Sequence, residues 1–217
     1  MKDREIAMLE RHLDRVAGGA GHYLEFGSGN STRLAASRKG IARIHVVESD
    51  PEFFSSQVRV DPAVDSALGE GRLEVSFANL GPISHWGHPE DESHKHLWPL
   101  YPLGAFSSEV RWNLILVDGR FRVACCLAAA LSGLAGDDSP VLVHDFHHRP
   151  HYRLLLRWLR IDEEAETLVS LKRREDFDAA TARTALQRYV WLQDDHTFRS
   201  RTTGSLRKKI RRLVGRR

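Results

Sequence analysis

Apolar positions along this chain fall into short runs that alternate between two periods. Ile6, Leu9, Leu13 and Val16 recur at helical spacing and Gly18-Gly19 follows, which predicts an N-terminal helix ending there. HYLEFGSG from His22, ARIHVVESD from Ala42, RLEVSFANLG from Arg72, RWNLILVDGRF from Arg111 and PVLVHDF from Pro140 have the length and near-continuous apolar character of buried strands. Between them STRLAASRKG, PEFFSSQVRV with proline in its first turn, and VACCLAAALSGLAG are expected as helices, and HYRLLLRWLR follows as another. ETLVSLKRR and LQRYVWLQ are expected as two last strands joined by a loop.

Strands alternating with helices predict an α/β fold: a Rossmann-like, doubly wound, mostly parallel seven-stranded sheet with an antiparallel closing hairpin. Ligands in such sheets sit at the carboxyl ends of the strands, near the switch in strand order. That points to Gly27–Ser31, Glu48–Asp50, Ala78–Asn79, Asp118–Arg122 and His144–His148.

YLEFGSGNST narrows the ligand. A dinucleotide fingerprint needs G-x-G-x-x-G, and Thr32 stands where the third glycine belongs; a P-loop needs G-K-[ST], which is missing. What the stretch does match is an acid two residues before G-x-G, followed by small residues. Here the chain resembles the class I S-adenosylmethionine-dependent methyltransferases, and VDGRFRVAC with GPISHWGHP more narrowly resembles a group of bacterial methyltransferase-like proteins without an assigned substrate. The resemblance implies that Gly27, Ser28 and Gly29 seat the methionine end of S-adenosylmethionine, with Ser31 in place of a further glycine. It implies that Glu25 holds the amino group, that Glu48 takes the ribose hydroxyls with Asp50 as the alternative, and that Asn79 and Asp118 complete the cofactor site. Glu48 lies 19 residues after Gly29, a spacing that suits a ribose acid.

VDGRFRVACC and VLVHDFHHRP carry the candidate chemistry. In small-molecule O-methyltransferases, acids at these two strand ends hold a divalent metal. Asp118 and Asp145 match, while His144 stands where a further carboxylate is usual; imidazole suits a transition metal better than magnesium. Asp118 and Asp145 are thus catalytic candidates, and without a metal His147 or His148 would serve as the base. Arg120, Arg122 and Arg149 suit an acidic or phosphorylated substrate. Some thirty residues from Leu80, rich in His, Trp, Pro and Gly, predict a lid with His85, Trp86 and His88 facing the substrate. His85, His88, His94 and His96 are spaced like zinc ligands but have no cysteine beside them. Cys125 and Cys126 are adjacent in an alanine-rich helix and are expected in the core.

At 217 residues, 41% hydrophobic and 28% charged, the chain has the composition of a globular domain. Its net charge of +3 hides an asymmetry. Nine of the 32 lysines and arginines lie in residues 199–217, which contain no acid, so the body is near −6. The expected division is a methyltransferase-like domain over 1–198 and a basic tail over 199–217. Leu206, Ile210, Leu213 and Val214 give that tail one apolar face; a solvated terminus is the first reading, with an anionic membrane surface or another polyanion as the alternatives. With no apolar signal core and no disulfide framework, a cytoplasmic setting is expected, membrane-peripheral if the tail docks. The acidic body and the absence of an N-P-P-Y motif argue against nucleic acid as acceptor, and the resemblance implies oxygen of a small-molecule or glycan-type acceptor. A non-catalytic binding protein on the same fold, tethered by its tail, is the other reading.

Overall fold

The computed structural model describes residues 1–107, 109–133 and 139–193. The basic tail, with its alternative membrane contact, lies outside the described residues. Seven strands form one sheet in the order β3-β2-β1-β4-β5-β7-β6. They are β1 (His22–Phe26), β2 (Arg43–Glu48), β3 (Leu73–Phe77), β4 (Leu114–Val117), β5 (Val141–Val143), β6 (Leu159–Ala165) and β7 (Leu168–Arg173). β1 to β5 pair in parallel, and β7 pairs antiparallel with both β5 and β6. The expected sheet and its closing hairpin are both present.

β1, β4 and β5 are buried along almost their whole length because helices cover both faces. On one face α1 (Asp3–Gly18), α2 (Asn30–Ser37) and α4 (Pro62–Gly69) bring Leu9, Leu13, Ala35 and Val64 onto Tyr23, Ile44, Leu116 and Leu168. α3 (Pro51–Phe53), capped by Asp50, runs on as a π-helical turn to Val58 on the same side. α5 (Leu100–Leu103), α6 (Arg122–Ser132) and α7 (Ala179–Tyr189) belong to the other face, where Tyr101, Cys125, Cys126 and Ala182 meet Phe26, Val117 and Val143.

Two elements differ from expectation. HYRLLLRWLR is a 3-10 helix at Pro150–Arg157 that gives way to β6 at Leu159. LQRYVWLQ is no strand: Leu186 to Tyr189 end α7, and β6 supplies the hairpin partner instead. The cause lies upstream of LQRYVWLQ, where Asp178 caps the Ala180 and Thr181 N–H groups and nucleates an alanine-rich helix.

The segment after β3 is anchored rather than loose. Trp98 and Tyr101 are fully buried against Phe121, and Trp98 Nε1 donates to the Leu80 carbonyl at 3.2 Å. Tyr101 also fixes the turn after β4: its hydroxyl accepts from Arg120 N–H at 3.1 Å. A Cβ on Gly119 would lie 2.0 Å from that oxygen, so the turn demands glycine.

Candidate active site

The strand order reverses between β1 and β4, and the turns after these two strands meet there. Gly27 has φ +86, and a Cβ there would sit 2.6 Å from Gly119 Cα, so the turns after the two strands touch through glycine alone. Beside them opens a cavity of about 200 Å³, lined by Gly27, Ser28, Gly29, Asn30, Ser31, Leu34 and Asp118, with Met1 and Ile6 of the α1 end. A Cβ on Gly29 would meet nothing within 4 Å. The glycine turn therefore presents bare backbone to open space, and the free N–H groups of the first turn of α2 lie next to it.

Glu25 is not on that wall. It is fully buried beneath the turn, where Thr32 Oγ1 donates to it at 2.8 Å and Ser31 Oγ donates to its other oxygen. Burial pushes its carboxyl up to about 8, helped by the Asp118 and Glu48 charges, against the pull of the two hydroxyls. As placed, both of its oxygens face the Ser31 and Thr32 hydroxyls rather than the cavity. Asp118 lines the cavity in its place, as an ionised carboxylate: burial raises its pKa, but the bond from His144 and the Arg122 charge outweigh that and lower it.

Glu48 is likewise buried, and its two oxygens are occupied by the chain. Ser28 N and Ser28 Oγ donate to one at 2.8 and 2.6 Å; Ser49 N and Asp50 N donate to the other at 2.6 and 3.0 Å. A carboxylate has roughly four lone-pair directions, so Glu48 clamps the glycine turn to the end of β2. Asp50 caps α3 through Phe53 N–H, and Asn79 is exposed and turned onto Gly81 N–H at 3.0 Å.

At the ends of β4 and β5, Asp118, His144 and Asp145 come together as expected, with one donor atom from each within 4.8 Å of the others. His144 is held between two carboxylates: Nδ1 lies 3.0 Å from Asp118 Oδ1 and Nε2 lies 3.2 Å from Glu5 Oε2. Glu5, 1% exposed, also accepts from Lys2 N at 2.7 Å, Thr167 N at 2.9 Å and Thr167 Oγ1 at 2.5 Å. Burial works to raise the Glu5 carboxyl, but those bonds and His144 win and bring it down to about 2. Burial likewise works against the imidazolium, yet Asp118, Asp145 and Glu5 raise the His144 pKa. A ring nitrogen facing an ionised carboxylate must carry hydrogen, so His144 is an imidazolium with both N–H groups spent.

Arg122, expected to face substrate, is instead buried among these groups. Asp145 has a left-handed φ of 61 and bonds Arg122 at 3.5 Å and Arg149 at 3.4 Å. His147 Nε2 lies 3.1 Å from Glu164 Oε2, and His148 is exposed on the same turn. Arg120 bonds the His88 ring, which ties the segment after β3 to the end of β4. Trp86 does not face the site: it is 88% exposed at a left-handed turn. His85, His88, His94 and His96 form no metal-binding group among the described residues.

Sheet order, the glycine turn at its switch point and the acids at the ends of β2 and β4 define a class I S-adenosylmethionine-dependent methyltransferase fold. Among solved structures, a methyltransferase-like protein from Silicibacter pomeroyi is similar at 25% identity and a TM-score of 0.72, covering 88% of this chain and 95% of that one. The inferred methyltransferase yhhF from Escherichia coli shares the fold at 17% identity and a TM-score of 0.51, with 81% and 87% covered. No protein-family model and no curated protein matches the chain. No helix among the described residues is long and apolar enough to cross a membrane.

Proposed function

We propose that the chain is a methyltransferase using S-adenosylmethionine, with oxygen of a small-molecule or glycan acceptor as its target. The observation that carries the reading is one cavity at the switch point that joins bare glycine backbone, the start of a helix and an ionised carboxylate. These groups suit an amino-acid moiety: the first-turn N–H groups of α2 face a carboxylate, and Asp118 faces an ammonium. Bound there, the cofactor supplies a methyl group on a sulfonium, open to attack by an aligned nucleophile.

Chain geometry supports the remaining roles. Glu48 would hold the ribose hydroxyls, with the Ser28 hydroxyl giving up its place and the backbone bonds keeping the clamp. His147, oriented by Glu164, is the better-built base for the acceptor proton; His148 is the more exposed alternative. Arg149 and the Arg120–His88 pair supply positive charge around the acceptor. Asp145 orients Arg122 and Arg149.

Gly29 provides the test. Its φ of 162 lies outside the left-handed region, and a side chain there meets only open space. Gly29→Val is therefore expected to unfold at the wild-type temperature while losing at least about tenfold in affinity for S-adenosylhomocysteine by calorimetry, roughly 1.4 kcal/mol. Equal binding by both proteins would remove the cofactor from this cavity.

A further inference from the structure

The described residues contain one group suited to a divalent ion, Asp118, His144 and Asp145, and a guanidinium already stands among its donors. Arg122 is 4% exposed. Its Nε donates to Gly119 O at 3.0 Å; one terminal nitrogen donates to His144 O at 2.7 Å and Asp145 Oδ2 at 3.5 Å. The other donates to Asp118 O at 2.8 Å and lies 3.1 Å from Asp118 Oδ1. Three backbone carbonyls and two carboxylates from the ends of β4 and β5 thus converge on one planar cation, whose five N–H donors suit them.

The backbone around Arg122 is shaped to put it there. Phe121 caps α6 at φ 52, a left-handed conformation that is strained for a bulky residue. Its ring is held in place by Trp98 and Tyr101 at 5.6 and 5.8 Å. That turn starts α6 so that its first side chain folds back under the strand ends. His144, the third donor, has both ring nitrogens committed to Asp118 and Glu5.

We propose that Arg122 is the built-in cation of this centre, standing where a divalent ion would sit and joining the ends of β4 and β5 without one. It is a positioning residue: it fixes Asp118 against the cavity and Asp145 on its strained turn. That methyl transfer here proceeds without a divalent ion rests on the methyltransferase reading; the occupancy by Arg122 does not.

Manganese, followed by electron paramagnetic resonance on the full chain, tests the proposal. Wild type is expected to leave added Mn²⁺ free. Arg122→Met, which uncovers two carboxylates while keeping an apolar stem, is expected to bind it at least about tenfold more tightly than wild type. Arg122→Lys makes the same comparison if the methionine variant does not fold, since one ammonium cannot span both carboxylates. One Mn²⁺ bound by wild type and lost in Asp118→Asn overturns the proposal, and so does a folded Arg122 variant that binds no more than wild type. Calorimetry with S-adenosylhomocysteine, run with and without EDTA, keeps the two readings apart. No binding in either condition defeats the cofactor assignment alone, and binding that requires the metal defeats the role of Arg122.

Discussion

Glu5→Ala is expected to destabilise the protein by about 3–5 kcal/mol at neutral pH, because it removes one partner from a buried ion pair and strands a buried donor. The carboxylate lost serves four donors: Lys2 N, Thr167 N, Thr167 Oγ1 and the His144 ring. Thr167 is 7% exposed, so water does not readily replace the bond to its N–H. The effect carries a pH signature. A carboxyl lowered from 4.5 to about 2 contributes stability that is complete above its unfolded pKa and is lost as pH falls through the folded one. Wild type and Glu5→Ala should therefore differ fully at neutral pH and converge between about pH 4.5 and pH 2 in urea denaturation. A gap unchanged down to the lower value would show that cavity formation, not charge, is the cause. Glu5→Gln separates the two further, since it keeps the volume and one acceptor but cannot neutralise His144.

Consequences for the site follow from the same contacts. Glu5 fixes His144, and His144 fixes Asp118, the carboxylate on the cavity wall. Loosening α1 from the β7 entrance thus loosens an acid to which the cofactor's ammonium is assigned. The expected result is weaker S-adenosylhomocysteine binding on changing a residue that touches no ligand.

Where the sequence was legible, burial on both faces made it so. β1, β4 and β5 read as continuous apolar runs because no side of them meets water. β6 was hidden for the opposite reason. LRIDEEA lies at the sheet edge with alternate residues in solvent, so acids fill it and only a weak period of two survives. The aromatic and β-branched end of α7 resembles a strand locally, and the cap at Asp178 that decides its fate lies well before it.

The candidate site divides in a similar way. Strand ends, the glycine turn and the Asp118–His144–Asp145 group follow from topology, and topology follows from pattern. Which oxygen faces which donor does not. Glu5 did leave a trace: it stands four residues before Leu9 and eight before Leu13, a charge in register with the buried stripe of α1. Its partner His144 is 139 residues away, and nothing in the pattern links the two. Arg122 likewise reads as a surface cation, because only the left-handed Phe121 turns it inward. For Glu25 the sequence shows an acid at a strand end but not that Ser31 and Thr32 close over it.

That closure makes Glu25→Gln a stabilising change. An acid whose folded pKa is raised from 4.5 to about 8 binds more protons folded than unfolded between those values, so stability falls as pH rises through that window. At the upper end the penalty is roughly 3–5 kcal/mol, because each tenfold change in proton affinity is worth about 1.4 kcal/mol. Glutamine keeps the shape, accepts from Thr32 Oγ1 and donates to Ser31 Oγ, and never ionises beside Asp118 and Glu48. Thermal unfolding of the two proteins should therefore give similar midpoints near pH 4.5 and a midpoint that is higher for Glu25→Gln by pH 8, the difference growing steadily between. A gain independent of pH would mean that the Glu25 pKa is not raised by folding, and a loss at the upper end that the acid is ionised in the folded protein and held by charge. The ligand measurement then discriminates the chemistry. With Asp118 as the ammonium partner, Glu25→Gln binds S-adenosylhomocysteine as tightly as wild type. A loss of about tenfold or more would return that role to Glu25 and require the Ser31 and Thr32 hydroxyls to open when the cofactor enters.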